Sequence, residues 1–331
     1  MSVTSEFPPL QEKSTMLVVV EVFYLLFLII FGLIGNIGLC AMVCTHRHLQ
    51  TVSNYLIVNL SISELLRIFF TLSVSTSVLI KRRWFYGETF CLLNGCYTLT
   101  FLIASLMSVA LISANRFIQI VHHRDSATIF SKQRTKIMIF TLWFLACSIS
   151  IPPNFGWGHY GFLSSRATCF IAVGSSYSYT TVLVLAFIAT PFSVMIFCYV
   201  KIFLAVRRSR RRVVERLSVG NLTLAIPTES KENLRKEVKV AKTLLTLIGV
   251  YIVTWIPICV IHFVRLAKLA IIPDSVDLVA AFLVSLSCVT NPWIYGFKNN
   301  HFRDQLKRML CVKVRVMRET GRCQMSQFEM K

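Results

Sequence analysis

Carboxylates are scarce in this chain: 15 Asp and Glu stand against 35 Lys and Arg, and charged residues of both signs occupy only 15% of the 331 positions. So little charge, with 55% hydrophobic residues and a mean hydropathy of +0.65, excludes a soluble protein built around one core. An integral membrane protein is expected. The first 16 residues carry no Asn-x-Ser/Thr glycosylation sequon and are too few for a ligand-binding domain. No cleavable leader is evident, so the first apolar run is expected to act as its own insertion signal. There is no internal repeat and no continuous path of ionisable residues, which argues against a transporter or channel. Nor is there a membrane-depth cluster of His and Asp or a nucleophile beside a base. His46, His48, His122 and His123 lie near helix ends, and an enzyme is not expected.

What is present is organised around Cys91 to Phe117. Its interior, Cys96 to Ala114, holds no Lys, Arg, Asp or Glu. About 25 residues from Cys91 to Arg116 span roughly 37 Å as a helix, a hydrocarbon core plus some interface. The cysteine end suits an oxidising compartment and the arginine end the cytoplasm. The net charge of +20 would suggest a nucleic-acid partner. However, the basic residues gather on one side when the N-terminus is placed outside, so the charge sets orientation and nucleic acid is not expected. Most cysteines (Cys40, Cys44, Cys96, Cys147, Cys198, Cys259, Cys288) fall in apolar runs and read as packing residues. Cys91 and Cys169 fall at outer positions and are the natural disulfide pair.

The expected architecture is all-α: an outer tail (1–15), a seven-helix membrane domain with a short amphipathic eighth helix (16–310), and a cytoplasmic tail (311–331). The spans are read at about 16–44, 54–80, 89–121, 135–155, 175–206, 238–267 and 272–297. The eighth helix, 299–310, lies on the inner lipid surface through Phe302, Leu306, Met309 and Leu310. Cys311 beyond it is a palmitoylation candidate, a reduced thiol being the alternative. Trp84 and Tyr86 suit the membrane interface, and residues 156–174 read as a long outer loop. Within the second span, Glu64 and Arg67 each cost about 2.5–3.5 kcal/mol at membrane depth and need a partner or a role. Their i, i+3 spacing allows mutual neutralisation. The sharper reading has Glu64 face a hydrated centre and Arg67 a ligand cavity.

The motifs along these spans resemble the rhodopsin-like class of G-protein-coupled receptors over about residues 16–311. They are Gly35-Asn36; Asn59-Leu-Ser-Ile-Ser-Glu64; Cys91 with Asn115-Arg116-Phe117; Trp143; Cys169; Pro191 with Tyr199; Thr254-Trp255-Ile-Pro257; and Asn291-Pro292-Trp-Ile-Tyr295. Pro153-Asn-Phe-Gly-Trp-Gly-His-Tyr160 looks like the outer loop of opsins. Asn115-Arg116-Phe117, Phe197 to Lys201 and Ile294 to Arg303 look like melatonin-type receptors.

The resemblance implies a two-state bundle in a plasma membrane, in which an outer small ligand shifts a population and a heterotrimeric G protein, with arrestin as a further partner, reads the inner face. Arg116 would be the hub, restrained by Glu237 on the sixth helix, with Tyr199 and Tyr295 approaching one another on activation. The acid usual beside the arginine is Asn115 here, so raised basal activity is expected. Glu64, Ser105, Ser287 and Asn291 match the family's sodium pocket, although Glu replaces the usual Asp and a protonation switch is the rival. Pro191, Leu106 and Tyr251 match the connector beneath the ligand pocket, Trp255 its floor, and Pro257 and Pro292 its hinges.

The same comparison narrows the ligand. Amine receptors carry Asp where this chain has Thr98. Opsins hold retinal on a lysine where it has Ser285, so neither an amine receptor nor a retinal pigment is expected. A melatonin-like ligand is the alternative, weakened because Val173 replaces a glutamine, although Asn154 is roughly placed. By analogy the pocket is lined by Thr98, Phe101, Leu102, Trp255, Phe263 and Ser285, with Arg67 and His262 added. It suits a small, mainly apolar molecule, with any acidic group meeting Arg67. A receptor that only modulates other receptors without signalling itself is a further alternative.

Overall fold

The computed structural model describes residues 13–172, 175–219, 228–267 and 269–298. Seven helices among them are long and apolar enough to cross a membrane: α1 Thr15–Thr45, α2 Val52–Lys81, α3 Glu88–Val121, α4 Lys132–Phe155, α5 Tyr177–Ser209, α6 Leu245–Arg265 and α7 Asp274–Gly296. The expected eighth helix, the C-terminal tail and Cys311 lie outside the described residues, as does Val173.

α3 is the central element. Buried positions make up 72% of its most apolar window, against 28% in α1, whose Phe23, Ile30, Ile34 and Ile37 face outward. Apolar side chains facing outward at this density suit lipid. The polar positions of α3 point inward. Asn59 on α2 donates to Ser108 at 2.8 Å and accepts from Trp143 Nε1 at 2.9 Å, so one amide joins α2, α3 and α4.

Proline shapes the bundle through the hydrogen bonds it cannot make. Pro292 has no N–H to give the carbonyl of Cys288, four residues earlier, and Asn36 Nδ2 on α1 donates to that carbonyl at 2.9 Å. Gly35 lets the two helices close: a Cβ there would lie 2.8 Å from the Pro292 ring. The Gly35-Asn36 and Asn291-Pro292 motifs are therefore one interhelical joint. Pro191 similarly follows a π-helical stretch, Leu183–Ala189, where Thr190 donates back five residues to Leu185 O at 2.9 Å. A second π-helical turn, Ile68–Leu72, widens α2 directly after Arg67.

The all-α class holds, and the outer loop expected over 156–174 gains local structure. Within it lies an antiparallel hairpin, β1 Tyr160–Leu163 paired with β2 Thr168–Ile171. Four-residue strands with little periodicity are invisible to pattern reading. They persist here because Cys169 is bonded to Cys91 at the start of α3, and the hairpin packs across α3 through Tyr160 and Phe170. Trp84 also differs from its interface reading: it is buried against Phe90 and Phe162.

Candidate functional site

Beneath the hairpin lies a cavity of about 110 Å³, far more than one water needs. Its walls are mostly apolar, with Arg67, Thr98, Trp255, His262 and Ser285 among the polar exceptions and Leu102 among the apolar lining. Two residues expected there are elsewhere. Phe101, one position before Leu102 and so about 100° around the helix, packs against Phe70, Tyr97 and Trp143. Phe263 follows His262 and is 62% exposed on the outer face of α6.

The roof is fastened several times over. Besides the disulfide, Asn94 Oδ1 on α3 accepts from Thr168 Oγ1 at 3.0 Å and from the Cys169 N–H at 3.3 Å. Arg166 in the hairpin turn grips Asp277 of α7 through Nε at 2.7 Å and Nη2 at 2.6 Å, and Arg265 at the end of α6 reaches the same carboxylate at 3.1 Å. Lys13 pairs with Glu21 at 2.9 Å and donates to the Ser165 carbonyl at 3.0 Å. Tyr160 donates to Ser150 O at 2.7 Å, and burial pushes its phenol above its ordinary value, so it remains a donor. Sequence reading missed Asn94, Arg166, Arg265 and Asp277. Only the acidic first turn of α7, Asp274 and Asp277, hinted at them.

At the cavity floor the Glu64 and Arg67 readings merge. Arg67 Nη2 pairs with Glu64 Oε2 at 2.8 Å, and Arg67 also lines the cavity. Glu64 Oε1 accepts from Ser105 at 2.6 Å and from Asn291 Nδ2 at 3.2 Å. The expected fourth ligand behaves differently: Ser287 accepts from Arg67 Nη2 at 2.7 Å and makes no bond to Glu64. Cys288, read from sequence as a packing residue, is drawn into the cluster, its thiol 3.1 Å from Glu64 Oε2. Thr98 pairs with Thr71 at 2.9 Å.

One contact ties this cluster to the cavity. Tyr251 stacks on Trp255 with ring centroids 6.5 Å apart, while its hydroxyl lies 3.0 Å from both Ser105 Oγ and Asn291 Nδ2. Leu106 is fully buried in the same core. The sequence reading treated Tyr251 as connector packing. Its hydroxyl makes it part of the polar network as well.

At the far end, Asn115 is buried and accepts from Ser53 Oγ at 2.8 Å. Arg116 Nη1 donates to Gln119 Oε1 at 3.0 Å, and Gln119 Nε2 donates to Ser53 Oγ at 2.9 Å. The missing acid thus has a neutral substitute, a Gln119–Ser53–Asn115 chain that the motif reading passed over. The Glu237 side chain lies outside the described residues. Tyr295 is buried and its hydroxyl has no hydrogen-bond partner there, while Tyr199 packs at the edge of the core.

Seven helices, a disulfide-anchored hairpin and a cavity wired to a buried polar centre define a membrane receptor bundle. The sequence profile of the 7 transmembrane receptor (rhodopsin family) matches residues 35–295, and the chain belongs to that family. It is 28% identical to melanopsin of Rattus norvegicus over 84% of its own length and 59% of that protein's. It is 29% identical to the alpha-1A adrenergic receptor of Oryzias latipes over 91% and 68% respectively. The chain spans about three-fifths of the length of the melanopsins it matches. The crystal structure of squid rhodopsin superposes with a TM-score of 0.77 at 20% identity, covering 94% of this chain and 91% of that one, a likeness of fold. The family is one of receptors, not an enzyme class.

Proposed function

We propose that this chain is a plasma-membrane receptor, N-terminus outside, which converts binding of a small ligand in the cavity into activation of a heterotrimeric G protein at the Arg116 end. The observation that carries the reading is the Trp255–Tyr251 stack: a ligand pressing on Trp255 moves the ring whose hydroxyl holds Ser105 and Asn291, both bonded to Glu64. Orientation is supported by the basic run Arg207 to Arg212 at the Arg116 end and the disulfide at the other.

Ligand chemistry is narrowed by the lining. Its residues include no carboxylate to pair with an ammonium and no lysine to form a Schiff base, and Ser285 uses its hydroxyl on Ala281 O at 2.9 Å. Neither an amine nor covalently held retinal fits. The polar centre does not fit sodium either. Arg67 already places a guanidinium 2.8 Å from Glu64 and takes Ser287, so an added cation would face an arginine rather than a free oxygen cage.

Coupling is tested by expressing the chain with biosensors for the G-protein families, without ligand, beside Arg116→Ala and Glu237→Ala. The expected result is a rise with Glu237→Ala from one family and its loss with Arg116→Ala. Surface-expressed variants that leave every sensor unchanged would overturn the coupling.

A further inference from the structure

We infer that the cavity is built for a monoanionic amphiphile, a molecule with an apolar body and one carboxylate-like group received by Arg67 with help from Trp255. This rests on the reading of the cavity as the ligand site and names the class it takes.

Three independent observations converge. The first is a mismatch of donors and acceptors. Among the described lining residues, two buried polar atoms have no hydrogen-bond partner, Arg67 Nε and Trp255 Nε1; both are donors, and both are closed off from the cavity, so an acceptor meets them only when those side chains turn toward it. Arginine and tryptophan side chains offer no acceptor function, so only an incoming acceptor completes them. A buried donor left unmade costs on the order of 1–3 kcal/mol, more for a charged group. A ligand oxygen recovers that loss once Arg67 and Trp255 shift to meet it.

The second is charge. Arg67 and Glu64 cancel. At the roof, Arg166 and Arg265 share the single carboxylate of Asp277. These five groups leave one positive charge in excess at the roof, where Arg166 lines the cavity and Arg265 stands behind it, partly exposed. One anion balances it, whereas a cation would double it and a dianion would overshoot.

The third is how Arg67 is held. Its pair with Glu64 and its bonds to Ser287 and Cys288 all run through Nη2, so the guanidinium is fixed at one corner while Nε waits. Arg67 is 2% exposed, so its orientation is set by the protein and not by water. Around it, Leu99, Ile103, Ile188, Ile258 and Val284 supply the apolar wall for the rest of the ligand. The anion and Glu64 thereby become rivals for one guanidinium. A ligand that draws Arg67 toward itself loosens Glu64 from its cation while Ser105 and Asn291 still hold it, which transmits binding to the polar centre.

The test is thermal unfolding of the purified full chain in zwitterionic-lipid nanodiscs, titrated with hexanoate, octanoate and decanoate beside the alcohols and amines of the same lengths. Carboxylates are expected to raise the unfolding temperature saturably, while alcohols and amines of equal length leave it within error. Glu64→Gln removes the rival anion but keeps Arg67, and is expected to tighten carboxylate binding about tenfold. Arg67→Met combined with Glu64→Gln removes both charges together, avoids a stranded ion, and is expected to abolish the carboxylate shift. No shift from any carboxylate at millimolar concentration, equal shifts from the alcohols, or a carboxylate shift that survives in the double variant would each overturn the inference. The readout is binding alone, so a failure here is separable from a failure of G-protein coupling, which the biosensors report.

Discussion

The two ends of the bundle are held in different ways. At the hairpin end, a covalent bond, the Asn94 amide, a bidentate Arg166–Asp277 pair and the Tyr160 phenol each fix the same short segment. No hairpin residue is among the buried polar groups without a partner in the described structure. From the cavity floor toward the Arg116 end, by contrast, Arg67, Trp255, Asn291, Asn115 and Tyr295 each have an unmade hydrogen bond. A buried group with an unmade bond gains from any rearrangement that supplies a partner. The hairpin end is therefore a scaffold with one arrangement, and the centre and Arg116 end are where a second arrangement is available.

The contrast breaks most severely where a charge is stranded. Glu64→Ala leaves Arg67 buried without its carboxylate and is expected to cost about 3–5 kcal/mol, read as loss of folded receptor in thermal unfolding. The double change Glu64→Gln with Arg67→Met should recover most of that loss. If Glu64→Ala were as stable as the parent chain, the pair would not be the keystone of the centre. Next in size is the scaffold itself. Cys91→Ser with Cys169→Ser opens a link between residues 78 apart and is expected to cost about 2–4 kcal/mol, measured the same way, with reductant reproducing it in the parent chain. That loss should fall on stability and surface yield, leaving the basal signal per folded receptor unchanged.

A smaller change separates packing from hydrogen bonding at the joint between cavity and centre. Tyr251→Phe keeps the ring stacked on Trp255 but removes the hydroxyl shared by Ser105 and Asn291, at about 1–2 kcal/mol. Because Glu64, Ser105 and Asn291 belong to the part with a second arrangement, the change should appear as altered basal signalling as well as lower stability. A variant with lowered stability and unchanged basal signal would reduce Tyr251 to packing.

The sequence exposed the long-period features and concealed the local ones. Seven apolar runs of membrane length cannot be much else in a chain this short of charge, and the order of Cys91, Arg116, Pro257 and Asn291-Pro292 along them left one bundle to consider. The Glu64–Arg67 pair was legible because three residues on a helix are neighbours in space and charge at that depth demands compensation. The roof was not legible. Arg166 and Asp277 lie more than a hundred residues apart and meet only because a disulfide draws the hairpin over the bundle. Phe101 and Phe263 were misplaced in the cavity because a helix turns by about 100° per residue, so an analogy one position out faces a neighbouring helix or lipid. Ser287 was misassigned for another reason. Family position predicted its place but not that Arg67 would arrive first and claim its hydroxyl.

The smallest expected effect lies at the Arg116 end, where an amide stands in for an acid. Gln119 Oε1 accepts from Arg116 at 3.0 Å, and the same side chain donates to Ser53, which in turn donates to Asn115. A neutral bond of this kind contributes about 0.5–1.5 kcal/mol, so Gln119→Ala should raise basal G-protein signal by a few-fold to about tenfold. Gln119→Glu keeps the geometry and makes the acceptor anionic, which roughly doubles the strength of such a bond. It should lower the basal signal below that of the parent chain. Opposite movements from two substitutions at one position cannot come from lost stability alone. A basal signal unchanged by both would mean that Arg116 is restrained elsewhere, and the search would move to Glu237, in the helical turns that precede α6.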